Sequence, residues 1–103
     1  MVTAFENQVY ELCRKVPKGK VTTYKEIAHA LGTGAYRAVG QALRKNPNAP
    51  KTPCHRVIAS NRTIGGFFGQ RSGEGIVRKI QLLKKEGVVA RDGKFDKKFV
   101  HVF

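Results

Sequence analysis

Apolar positions recur along much of the chain with a helical period. Phe5, Val9, Leu12 and Val16 are spaced four, three and four residues apart and make one stripe on a helix running from Thr3 to Val16. Thr3 and Glu6 stand at capping-box spacing at its start, and Pro17-Lys18-Gly19-Lys20 ends it in a turn. Val21-Thr22 is short and extended. Thr23 then serves as an N-cap, with Glu26 three residues on, for a helix from Tyr24 to Leu31 whose Ile27, Ala28 and Leu31 face inward. Gly32 stops that helix as a left-handed C′ residue. A further helix from about Ala35 to Lys45 buries Val39 and Leu43, and Asn46-Pro47 terminates it.

Two short helices joined by a glycine-containing turn make a helix-turn-helix pattern over about 23–46. Small residues on the second helix (Ala35, Ala38, Gly40, Ala42) alternate with Tyr36, Arg37, Gln41, Arg44 and Lys45. Small side chains let a helix backbone approach a nucleic-acid groove, and arginine reaches phosphates or bases. The same pattern also serves simple core packing of a helical hairpin. Three prolines in Pro47-Asn48-Ala49-Pro50-Lys51-Thr52-Pro53 forbid helix and stiffen the approach to Cys54-His55-Arg56-Val57-Ile58. Gly65-Gly66-Phe67-Phe68 is either a backbone that passes close to something flat or an ordinary glycine-rich loop over a buried Phe pair. Helical period returns from about Gly73, with Ile76, Ile80 and Leu83 inward, Leu82 alongside, and Gly87 as the cap. Asp92-Gly93 between β-prone segments predicts a small hairpin. The fold class is mostly α with small β elements, in a single domain spanning 1–103.

Composition sharpens the picture. Twenty Lys and Arg oppose seven Asp and Glu, for a net charge of +13. From Arg14 to Arg62 there are eleven basic residues and one acid, Glu26. A solvated surface usually mixes both signs, so this imbalance predicts a polyanionic partner, with nucleic acid the commonest. No apolar run is long enough to span a bilayer and no signal-peptide pattern opens the chain, so a cytoplasmic location without membrane attachment is expected. The three histidines, at 29, 55 and 101, have no metal-ligand spacing, and neither metal nor cofactor is expected. Monomer is the default state.

Cys13 falls within a helical pattern and reads as a small buried hydrophobe. Cys54 differs, because His55 and Arg56 follow it in a basic region. A free thiol is only a few per cent ionised at neutral pH, so a nucleophilic cysteine needs a base or a positive field. Local sequence leaves two readings open, a nucleophile or a structural cysteine.

The combined motifs carry a resemblance. Pro53-Cys54-His55-Arg56-Val57 resembles the active-site signature of the O6-alkylguanine-DNA alkyltransferases. Arg37-Ala38-Val39-Gly40 followed by Asn46-Pro47, Val21-Thr22-Thr23-Tyr24, and Leu82-Leu83-Lys84-Lys85-Glu86-Gly87 resemble that family in the same order, over nearly the whole chain. The resemblance implies a winged helix-turn-helix-like domain of the alkyltransferase C-terminal type. It implies that Cys54 accepts the alkyl group from guanine O6, that His55 draws off the thiol proton through a water, and that Glu86 orients His55. Asn46 ties the helix-turn-helix to the active-site segment, and Tyr24 donates to the purine as guanine leaves. Arg37 fills the stack after the nucleotide is flipped. Ala35, Tyr36, Gln41, Arg44, Lys45 and Arg56 are the accompanying DNA contacts, and Val57, Phe67 and Phe68 line the base pocket. The implied partner is double-stranded DNA carrying O6-alkylguanine, bound in the minor groove with the base extruded, and the implied reaction is a single turnover.

Four features depart from the family pattern. The chain starts almost at the first helix, where relatives usually carry an N-terminal domain. Phe67-Phe68 stands where a Tyr-Ser pair is common, and the stretch from Gly69 to Val77 is several residues longer than usual. Tyr36 occupies a position often held by a smaller residue. The alternative function is that of the short alkyltransferase-like proteins, which bind alkylated guanine without transfer and usually replace the cysteine. A general basic nucleic-acid-binding domain explains the charge but not the Pro-Cys-His-Arg-Val run.

Overall fold

Two helix-capping devices set the first half of the chain. The computed structural model describes residues 3–45, 52–65 and 73–103. Helix α1, Ala4–Lys15, begins with a complete capping box: the Glu6 amide donates to the Thr3 hydroxyl at 3.1 Å, and the Thr3 amide to the Glu6 carboxylate at 2.9 Å. Its buried face carries Val9, Tyr10 and Cys13, with Phe5 and Leu12 half-buried beside them. Strand β1 is Thr22–Thr23, and Thr23 caps α2, Tyr24–Ala30, by accepting the Glu26 amide. A Schellman closure ends α2, with Gly32 donating to His29 and Thr33 to Ala28, both at 3.0 Å. The φ of +71° at Gly32 is what makes that closure easy for glycine. Leu31 is therefore the C-cap rather than the last helical residue.

Helix α3, Tyr36–Arg44, packs against both α1 and α2 through Val39, Ala42 and Leu43. The buried Tyr10 hydroxyl donates to the Ala42 carbonyl at 2.6 Å, joining α1 to α3. The expected termination at Asn46-Pro47 lies outside the described residues. Strand β2, Val57–Ile58, pairs in parallel with β1, in the register Thr22 to Val57 and Thr23 to Ile58. This pairing sets the first residue of α2, Tyr24, beside the chain leaving β2. The C-terminal segment extends the arrangement through a parallel bridge of Val21 to Val100.

Helix α4, Glu74–Lys85, corrects one expectation. Ile76 and Leu83 are buried as predicted, but Ile80 is 48% exposed and Lys79, at 0%, takes the inward position. The stripe runs 76, 79, 83, so the helix is rotated from the all-apolar reading. Its end is another Schellman closure: Gly87 donates to Lys84 at 3.0 Å and Val88 to Leu83 at 2.9 Å, with Leu83 and Val88 packed in the same cluster. Glu86 is thereby held as the C-cap. The expected hairpin reduces to a two-residue turn, with Arg91 and Lys94 as its single bridge and both Asp92 and Gly93 at positive φ. Among the described residues no helix is long and apolar enough to cross a membrane.

Candidate active site

Cys54, His55 and Arg56 form one 3₁₀ turn between Pro53 and β2. The turn is closed by Cys54 donating to Thr52 at 2.8 Å and Arg56 donating to Pro53 at 2.9 Å. Thr52 is itself fixed, because Arg14 of α1 donates to its hydroxyl at 2.8 Å. Cys54 is 6% exposed and His55 4%. Such a turn aims three consecutive side chains in different directions, so adjacent residues can do different work.

Glu86 is the hub. Its Oε2 lies 3.1 Å from His55 Nε2. Arg56 grips both carboxylate oxygens, Nε to Oε1 and Nη2 to Oε2, each at 2.9 Å. The third arm of that guanidinium, Nη1, donates to the Val16 carbonyl at the end of α1, also at 2.9 Å. Burial works against the charge on Glu86, but the hydrogen bonds from Arg56 and His55 outweigh it and hold the carboxyl below its usual range. An ionised carboxylate can only accept, so His55 carries its proton on Nε2. Burial is the largest influence on His55 and lowers its pKa, against the opposing pull of Glu86. The imidazole is thus neutral at physiological pH, with Nδ1 left as the basic nitrogen. The Arg56 guanidinium meets α4 at its C-cap, Glu86, where the helix dipole favours a cation.

Tyr24 is half-buried at the start of α2. Its ring lies against Gly65: a Cβ there would stand 3.4 Å from the Tyr24 hydroxyl and 3.2 Å from the Ala59 amide. With φ at +68°, Gly65 is demanded by both conformation and space. The loop after β2 and the phenol are therefore one wall.

Ala35, Tyr36, Arg37, Gln41, Arg44 and Lys45 are all exposed on α3, with Tyr36 50% exposed, and the first turn of the helix contains no acid. Arg56 departs from the expected DNA-contact role, since its guanidinium is committed to Glu86 and Val16; it acts on the site from inside. Val57 is buried, and its carbonyl accepts from Lys79. Asn46, Phe67 and Phe68 lie outside the described residues.

Two features of the site were missed by sequence reasoning. Arg14 supports the segment before Cys54 from α1, and Lys79 holds the strand after it from α4, at the Val57 carbonyl. Position 79 stands three residues from Ile76 and four from Leu83, a spacing that could have flagged it. Cys13 is the contrasting thiol: burial pushes its pKa up to about 12, so it is a neutral core group. Among the described residues no group of three or more His, Cys, Asp or Glu is gathered as a metal site.

The chain is similar to known proteins over most of its length. Residues 4–88 match the family described as 6-O-methylguanine DNA methyltransferase, DNA binding domain. A methylated-DNA–protein-cysteine methyltransferase of Saccharolobus islandicus is 50% identical over 84 residues, covering 82% of this chain and 51% of the relative. The O6-methylguanine-DNA methyltransferase of Pyrococcus kodakaraensis superposes with a TM-score of 0.73 at 44% identity, over 84% of this chain and 48% of that one. Schizosaccharomyces pombe Atl1, solved with damaged DNA containing O6-carboxymethylguanine, gives 0.77 at 32% identity, over 94% of both chains. The chain spans about half the length of the curated relatives it matches.

Proposed function

This chain belongs to the 6-O-methylguanine-DNA methyltransferase family through its DNA-binding domain, and we propose that it repairs alkylated DNA by moving the alkyl group from guanine O6 to the sulfur of Cys54. The observation that carries this reading is the Glu86–His55 pair, fixed by Arg56, beside an intact cysteine in the same turn. A non-transferring DNA binder has no chemical need for a neutral, oriented imidazole next to a thiol.

The bond changes are simple. The Cys54 proton passes to the Nδ1 side of His55, and the resulting thiolate attacks the alkyl carbon. A C–S bond forms, the C–O6 bond breaks, and its electron pair remains on guanine, which takes a proton from the Tyr24 hydroxyl. A carboxylate that keeps its charge stabilises the imidazolium formed at His55. The thioether product has no route back, so each chain reacts once.

Access to O6 requires extrusion of the base, at an unstacking cost of a few kcal/mol. The exposed face of α3 supports the binding half of the reading. Arg37 is the residue assigned to occupy the vacated stack, and Arg44 and Lys45 the phosphate contacts. Asn46, Phe67 and Phe68 are assigned to the site on family resemblance.

A second reading has one observation in its favour, the 94% mutual coverage with Atl1. In that reading the chain binds alkylguanine and leaves it unrepaired. The two readings separate on the DNA. Duplex bearing a single O6-methylguanine, incubated with a stoichiometric amount of protein, should contain guanine in its place when digested to nucleosides. Retention of the lesion together with tight, lesion-selective binding would select the second reading.

A further inference from the structure

Lys79 is fully buried in the middle of α4 and is the largest of the fully buried side chains. Its Nζ donates to the Val57 carbonyl at 2.7 Å and to the Ile64 carbonyl at 2.6 Å. Val57 is the first residue after the active-site turn, and its amide bonds back to the Cys54 carbonyl. Ile64 immediately precedes Gly65, the residue packed against Tyr24. One amine thus joins three parts of the site: the strand leaving Cys54, the loop that meets the phenol, and the helix that ends at Glu86.

Packing alone does not account for a lysine here. A methionine or leucine would fill the same stem without the cost of burying an amine, which is large unless the group is paired. Burial is the main influence on Lys79 and lowers its pKa to about 7, while the charge of a Cys54 thiolate acts in the opposite direction. The ionisable neighbours that act on it from other elements belong to the active-site turn. Cys54 raises its pKa, and Lys79 in turn lowers that of His55. On α4 itself the adjacent Arg78 is exposed. β2 and residues 63–65 contribute carbonyl oxygens and no ionisable side chain.

We propose that Lys79 is a positioning residue for Cys54: it locks the active-site strand to the loop facing Tyr24 and, when protonated, sets a positive charge behind the active-site turn that favours the thiolate. The inference rests on Cys54 being the reactive thiol of the proposed function, but the thiolate can be tested without DNA. An amine held by two backbone carbonyls cannot swing away, so the charge it carries when protonated stays fixed relative to the active-site turn. Neither carbonyl can be removed by substitution, which makes the amine the point of attack.

The experiment is the pH dependence of Cys54 alkylation by iodoacetamide, read on the Cys54 peptide by mass spectrometry, in the wild type and in Lys79→Met. The Lys79→Met chain is expected to require a pH about one unit higher for half-maximal reactivity, hence roughly ten-fold slower alkylation at neutral pH. Circular dichroism and a thermal melt establish that the variant is folded. A folded Lys79→Met with an unchanged midpoint would overturn the proposal and leave Lys79 a packing residue. Where Lys79→Met does not fold, the wild type supplies the reciprocal measurement. The carbon-13 signal of Lys79 Cε is titrated before and after Cys54 is blocked with iodoacetamide. Blocking the thiolate should lower the Lys79 midpoint, and an unmoved midpoint would overturn the proposal. A Lys79-dependent thiol in a chain that leaves O6-methylguanine intact would reject alkyl transfer while retaining this inference. Transfer with a Lys79-independent thiol would do the reverse.

Discussion

His55 Nε2 faces Glu86 Oε2 at 3.1 Å, while Arg56 holds both oxygens of the same carboxylate. The pair therefore has only one stable protonation pattern, an ionised Glu86 and an Nε2-protonated neutral imidazole. Replacing Glu86 with Gln retains the shape but removes the charge that fixes the tautomer. Transfer from O6-methylguanine should slow by about 100-fold, the scale of a positioned base. Stability should fall by about 1–3 kcal/mol, because the Arg56 guanidinium loses its charged partner. Single-turnover kinetics and urea unfolding check the two effects separately. An unchanged rate in a folded Glu86→Gln chain would remove Glu86 from the mechanism.

Stability should rise with pH above neutrality. The folded chain holds Lys79 at about 7 against an ordinary value of 10.5, so between these pH values the unfolded chain binds a proton that the folded chain does not. Folding is penalised below pH 7 and the penalty is relieved as pH rises, by up to about 1.4 kcal/mol per pH unit. Cys13 works in the opposite direction. It is held at about 12 against an ordinary 9.0, so above pH 9 the unfolded state loses a proton first and stability is drawn down. Urea midpoints measured from pH 6 to 10 should rise from about 7 and level off near 9. The rise should be largely absent in Lys79→Met, and a rise of equal size there would contradict the assignment.

Arg37 is exposed at the start of α3, where its side chain is not part of the buried core among the described residues. Arg37→Ala should leave the thermal melt unchanged. It should slow reaction with duplex DNA by roughly ten-fold or more, equivalent to about 1.4 kcal/mol, and leave reaction with free O6-benzylguanine nearly untouched. Equal losses on both substrates would sink the intercalating role. Duplex affinity of the wild type should also fall steeply with salt, by about 0.9 in log K per log salt for each phosphate neutralised.

Gly65 tests the wall formed with Tyr24. Alanine there must adopt φ near +68°, with its Cβ 3.2 Å from the Ala59 amide and 3.4 Å from the Tyr24 hydroxyl. Gly65→Ala should cost about 1–2 kcal/mol from the backbone alone. It should also slow alkyl transfer by displacing the phenol, with Cys54 reactivity toward iodoacetamide retained. Loss of thiol reactivity to the same extent would show that the loop governs Cys54 directly.

The helices were legible because their signals are local. Thr3 with Glu6, Thr23 before Tyr24, and Gly32 and Gly87 after their helices each act within one turn of chain, and the structure places them as caps. Long-range relationships were not. Strands β1 and β2 have two residues each, too short for alternation to register, and nothing local pairs Thr23 with Ile58. The spacing 76, 79, 83 marks position 79 as inward, but a hydropathy stripe passes over a charged residue, and the backbone carbonyls that Lys79 binds carry no sequence identity. The same blindness assigned Arg56 to DNA. A basic residue two positions after a cysteine reads as a surface contact until Glu86 and Val16 are seen to enclose it.

The central claim is that Cys54 itself becomes alkylated. Intact-mass spectrometry after incubation with duplex containing O6-methylguanine tests it most directly, with proteolytic mapping of the modified peptide. A gain of one methyl group per chain is expected, confined to Cys54 and absent from Cys13, with no gain in Cys54→Ser although that chain still binds the duplex. An unmodified wild-type chain that nevertheless binds the lesion selectively would contradict it.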